Sequence, residues 1–131
     1  MTHWAEKYIG AKWTHEHDCY WWFREIQKNE FGRDVADVPR WGDLALFAAR
    51  HLTDGAVKRH GWRKTETPRE GDAVMMSMRN VPTHIGTITV IARRQHVVHV
   101  IEGIGGMVSS LINMKTMLWN IASFWTPDEN Q

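Results

Sequence analysis

Cysteine is all but absent from this chain: one residue, Cys19, in 131. A lone thiol excludes an internal disulfide and any zinc site built from several cysteines. Proline is also scarce, at four residues, and no repeat or low-complexity tract interrupts the chain. Neither sign of charge dominates, because 16 basic residues face 15 acidic ones and leave a net +1. That balance carries no electrostatic footprint for nucleic acid and no polybasic membrane anchor. No apolar run approaches the roughly 20 residues needed to span a bilayer, so no membrane insertion is expected. The opening MTHWAEKYIG has no basic segment followed by an apolar one, and no signal peptide is expected.

What is present fits one domain with a modest core: 43% hydrophobic and 24% charged residues. Eight tryptophans are many for this length. They imply a core of large rings, or exposed rings that bind a sugar, a peptide or a protein partner.

Residues 2–9 predict a short helix, capped by Thr2 and ended by Gly10. The spacing of Trp22, Phe23 and Ile26 predicts a second helix from Cys19 to about Phe31, with Asp18 as N-cap and Gly32 as stop. A third is expected from about Asp43 to His51. After Gly71-Asp72 the character changes, and 73–78, 84–91 and 96–101 read as strands, with 92-ARRQ-95 linking the last two. Gly103, Gly105 and Gly106 predict a turn, 107–111 a further short strand, and 112–125 fits helix or strand equally. Helices first and a meandering antiparallel sheet afterwards make an α+β fold. The expected single domain spans 4–125, with 126–131 as a tail.

Cys19 at a helix N-terminus meets unsatisfied backbone N–H groups, which favour thiolate. An imidazole beside it would hold the thiol proton and return it to a leaving amine, and a further polar group would fix the imidazole tautomer. His84 opens one predicted strand and His99 lies within the next. Period-2 alternation puts His84, Gly86 and Ile88 on one face, so a tight hairpin brings His84 and His99 together if the link sets that register. Gly86 is expected to leave room for a helix end. His15, His17 and Cys19 also form an H-x-H-x-C pattern, but no fourth metal ligand is evident.

These residues carry a resemblance. The stretches 9-IGAKW-13, 18-DC-19, 71-GDAVMM-76, 84-HIGTI-88 and 97-VVHV-100, in that order, resemble the NlpC-type family of papain-like cysteine peptidases, and especially its short phage-tail branch. The likeness spans nearly the whole chain. It implies a papain-like fold with N-terminal helices packed on an antiparallel sheet. It also implies Cys19 as nucleophile, His84 as general base and acid, His99 as the residue orienting His84, and the Cys19 N–H in an oxyanion hole. His96 competes for the third role, although the Val-Val-His context favours His99. The substrate groove would run past Trp13, His17, Asp18 and Tyr20. Tyr20-Trp21-Trp22 stand where the family carries smaller residues, which narrows that groove.

The expected activity is hydrolysis of amide bonds in peptidoglycan stem peptides, without metal or cofactor. Expected partners are the stem peptide and phage tail or tail-tip proteins, and the expected location is the virion, or the host cytoplasm before assembly. The alternative is a tail-tip or tail-assembly protein that keeps the fold with little or no activity. A third reading is acyl transfer by the same Cys-His pair.

Overall fold

The computed structural model describes residues 3–35, 61–78, 81–117 and 119–127. The helix expected at 43–51 lies outside the described residues. The chain opens with a 3-10 helix, Trp4–Tyr8, whose N-cap is His3: its side chain accepts from the Ala5 N–H. Helix α1 then runs Cys19–Phe31. Its start and stop follow from two residues. The Asp18 carboxylate accepts the Trp21 N–H at 2.8 Å, and Gly32 takes the left-handed conformation, φ 64°, that lets the last carbonyls be capped.

Six strands form one antiparallel sheet among the described residues: β1 Trp62–Thr65, β2 Ala73–Met78, β3 Val81–Ile91, β4 Arg94–Ile101, β5 Gly105–Ser110 and β6 Asn120–Pro127. A short helix, α2 (Leu111–Thr116), precedes β6. The sheet order is β1-β6-β2-β3-β4-β5. The architecture is therefore α+β, with α1 against an antiparallel sheet, as expected. The ambiguous stretch 112–125 resolves into both helix and strand. Strand β1 carries no expectation from the sequence, because four residues reading WRKT have no clear alternation. The expected tail begins too early: Thr126 and Pro127 pair with Arg63 and Trp62, and the buried Thr126 hydroxyl donates to Asp72 at 2.8 Å.

The β3–β4 hairpin turns through Ala92 and Arg93 alone, at φ 52° and 65°. Two consecutive positive φ values match the twist of the flanking strands, which offsets the strain of non-glycine residues there. This turn sets Ile88 opposite Val97 and Thr87 opposite Val98.

Two apolar layers result. On one side, Cys19, Tyr20 and Phe23 of α1 pack with Ala73, Met75, Ile85 and Trp125, and Ile26 packs with Val98. On the other, Val74, Met76, Ile88, Val97 and Met114 cluster with Leu111, Trp119, Ile121 and Phe124 around them. Gln27, fully buried in α1, donates to the Gly71 carbonyl at 2.9 Å, and Arg33 donates to the same oxygen at 2.7 Å. Those bonds tie the end of α1 to the turn that starts β2. Asp72 accepts the Arg69 N–H at 2.8 Å and the Thr126 hydroxyl, joining β2 to β6. The Gly-Asp pair is thus a structural clasp in this fold.

Candidate functional site

His84 lies near the N-terminal end of β3, where the strand pairs with β2 through Met76↔His84 and Val74↔Gly86. The β3–β4 ladder begins only at Thr87↔Val98. Alternation puts His84, Gly86 and Ile88 on the α2 side of the sheet, and the Ile88↔Val97 pair puts His99 on that side too. A Cβ on Gly86 would lie 2.5 Å from Val97 Cγ1 and 3.1 Å from His99 Cβ. Glycine here makes room for the β4 side chains, and not for a helix end as the sequence suggested. With that space open, His99 reaches His84: Nε2 of His84 and Nδ1 of His99 are 2.8 Å apart.

His99 Nε2 in turn meets Ser109 Oγ at 3.1 Å, and the Ser109 hydroxyl donates to Met117 Sδ at 3.9 Å. Trp119 lies over the His84 ring, with centroids 4.8 Å apart and planes 27° from parallel. Both histidines are buried, at 3% and 2% exposure. Burial holds His84 neutral, its pKa well below 6.5, with the neighbouring His99 adding to the effect; burial lowers His99 to about 4. Among the described residues, His84 Nδ1 has no hydrogen-bond partner.

Cys19 sits at the first position of α1, 2% exposed. Burial is the largest cause pushing its thiol up to about 12, and the Asp18 carboxylate adds to it. The backbone N–H groups of Ile85, Tyr20 and Cys19 itself pull the other way. Cys19 packs in one apolar cluster with Ile85, the residue that follows His84. It approaches β3 from the α1 side, while the imidazoles occupy the α2 side. Among the described residues no hydrogen bond joins the thiol to either ring.

His96 takes no part. Its Nδ1 lies 2.9 Å from the Arg94 carbonyl oxygen, and its side chain is on the face of β4 opposite to His99. Of the four expected groove residues, Asp18 is buried as the helix cap, and Tyr20, at 5% exposure, packs on Phe23 in the core. Placing Tyr20 in the groove is thus corrected: the second position of α1 points inward. Trp13 is half-buried and edge-on to His15, whereas His17 is exposed and stacked on Trp21 at 3.7 Å. His15 and His17 are exposed whereas Cys19 is buried, so the H-x-H-x-C pattern does not converge. No cluster of three or more potential metal ligands occurs among the described residues.

Two site residues escaped the sequence reading, Ser109 and Trp119. Ser109 had a weak signal in the short strand 107–111, but the glycine-rich turn before it left the register open. Trp119 follows a helix whose end only the packing defines.

Comparison with family models, with curated proteins and with solved structures finds no match to this chain.

Proposed function

We propose that this chain is a papain-like cysteine hydrolase of the NlpC type, cutting amide bonds in peptidoglycan stem peptides as a component of a phage tail. The observation that carries the reading is Nδ1 of His84, which has no partner among the described residues. It belongs to a buried ring whose other nitrogen is held by His99, and the next residue in β3, Ile85, packs in one cluster with Cys19. A buried nitrogen without a partner is costly, and functional sites are where such groups persist.

In the proposed reaction His84 Nδ1 takes the thiol proton, and the sulfur attacks the amide carbonyl carbon. The negative oxygen that forms faces the N–H groups at the start of α1. Collapse of this intermediate breaks the C–N bond, and the proton on His84 leaves with the amine. Water, deprotonated by the same nitrogen, then cleaves the thioester and restores the thiol. At rest the thiol is neutral, so thiolate forms only when the imidazole accepts its proton. Thiol and His84 ring stand on opposite sides of β3 in the resting fold, so this proton transfer requires the start of β3, beyond the β3–β4 ladder, to turn the ring toward the α1 side as substrate enters.

A second reading is favoured by the burial of the thiol and both imidazoles, with Trp119 stacked over the His84 ring. It is a tail-tip or tail-assembly protein that keeps this fold without turnover. Digestion of purified peptidoglycan separates the two. The hydrolase releases new amino termini and its Cys19→Ala variant releases none. Folded wild-type protein that releases nothing, yet enters tail particles, overturns the hydrolase reading. In virions the protein would be found in the tail, and before assembly in the host cytoplasm.

A further inference from the structure

Four groups stand in a row on the α2 side of the sheet: Met117 Sδ, Ser109 Oγ, the His99 ring and the His84 ring. We infer that Ser109, held by Met117, sets the tautomers of both histidines and leaves His84 Nδ1 bare. A thioether has no proton to offer, so the Ser109–Met117 contact runs from hydroxyl to sulfur. Ser109 Oγ is then an acceptor toward His99, and His99 Nε2 carries its proton. A neutral imidazole holds one N–H, so His99 Nδ1 is bare and accepts from His84 Nε2–H. His84 in turn carries no proton on Nδ1.

The opposite direction is poorer. There Ser109 donates to His99 Nε2, His99 Nδ1–H donates to His84 Nε2, and His84 is left with a proton on Nδ1. That buried N–H would have no acceptor among the described residues, and Met117 would lose its donor. Orphaned buried N–H groups are among the rarest features of folded proteins. The direction through Met117 satisfies every donor in the row and leaves only a bare nitrogen unpaired.

The consequence for chemistry rests on the hydrolase reading. A bare Nδ1 can take a thiol proton, while a protonated one blocks it. Ser109 is in that case a positioning residue, acting on the thiol through two rings.

The test is the proton position itself, read from nitrogen–proton correlations across the two rings in isotope-labelled protein near neutral pH. Wild type is expected to show Nε2–H on both histidines. Met117→Leu keeps the volume and removes the acceptor, and is expected to shift both rings toward Nδ1–H. A proton on Nδ1 of either wild-type ring overturns the inference, as does an unchanged pattern in folded Met117→Leu. On peptidoglycan, Ser109→Ala is expected to lose roughly 10²-fold in kcat at constant KM, with recovery in Ser109→Thr. Unchanged kcat in Ser109→Ala overturns the positioning role. Absence of turnover in wild type counts against the hydrolase reading alone, since the tautomers are read without turnover.

Discussion

Strand β3 shows different chemistry to its two sides. Toward α1 it presents Ile85 and Thr87, set in a layer with Met75, Ala73, Trp125, Phe23 and Cys19. Toward α2 it presents His84, Gly86 and Ile88, and only Ile88 joins an apolar cluster. Polar groups on the α1 side, such as Gln27 and Thr87, bond one another and the Gly71 carbonyl. On the α2 side the polar groups form a row of imidazoles that ends on a nitrogen with no partner among the described residues. Both sides stabilise the fold through buried area and close packing, the α1 layer around Trp125 and the α2 layer around Met76, Ile88 and Met114. The α2 side near the end of the β3–β4 ladder holds groups whose burial costs stability and whose arrangement serves chemistry.

The contrast can be broken most directly at Trp125, fully buried in the α1 layer. Trp125→Ala should cost about 3–5 kcal/mol in urea unfolding, as for other large buried rings. A smaller loss than that of any histidine variant would invert the ranking of the two sides.

Acid should strike the other side. Both histidines are held neutral in the fold, with pKa values below the ordinary 6.5. Below pH 6.5 the unfolded chain binds protons that the native rings refuse. Stability is thus complete above 6.5 and falls as pH drops toward about 4, by on the order of a few kcal/mol. Urea midpoints between pH 7 and 4.5 should show this slope, and the double variant His84→Leu/His99→Leu should flatten it.

Removing one member of the imidazole pair leaves the other buried without its bond. His99→Leu should therefore cost roughly 1–3 kcal/mol at pH 7. The double variant should cost less than the sum of the single losses, a coupling that thermal or urea unfolding of the full cycle measures. Additive losses would mean that the pair does not act as a unit.

The smallest effect belongs to the helix cap. Asp18→Ala should cost about 1 kcal/mol, and Asp18→Asn only part of that, because the amide oxygen can still accept the Trp21 N–H. Asp18→Asn should also lower the Cys19 thiol pKa, since the carboxylate is one of the causes that raise it. Alkylation of Cys19 followed against pH in both proteins checks this.

Much of the fold was legible because its signals are local. The Asp18 cap and the Gly32 stop bracket α1, and the strand 73–78 has the predicted bounds. The His84–His99 contact was legible as well, since alternation and a tight hairpin leave few registers, and His96 falls on the other face. The readings that missed depend on contacts far apart in sequence. Tyr20 faces inward because α1 lies over Ile85 and Met75, and nothing in 18-DCYWW-22 says which side the sheet will take. Thr126 belongs to the sheet because Asp72, 54 residues away, receives its hydroxyl. Strand β1 exists because β6 offers it an edge to pair with.

By itself the sequence determined the helix that starts at Cys19, the turn that pairs β3 with β4, and the face shared by His84 and His99. These follow from backbone preferences and a two-residue period, which act within a few residues. Only the tertiary structure decided that Ser109 completes the row, that Trp119 covers His84, and that thiol and imidazoles approach β3 from opposite sides. Those arrangements depend on which layer packs on which face of the sheet, and burial against distant elements is what selects it.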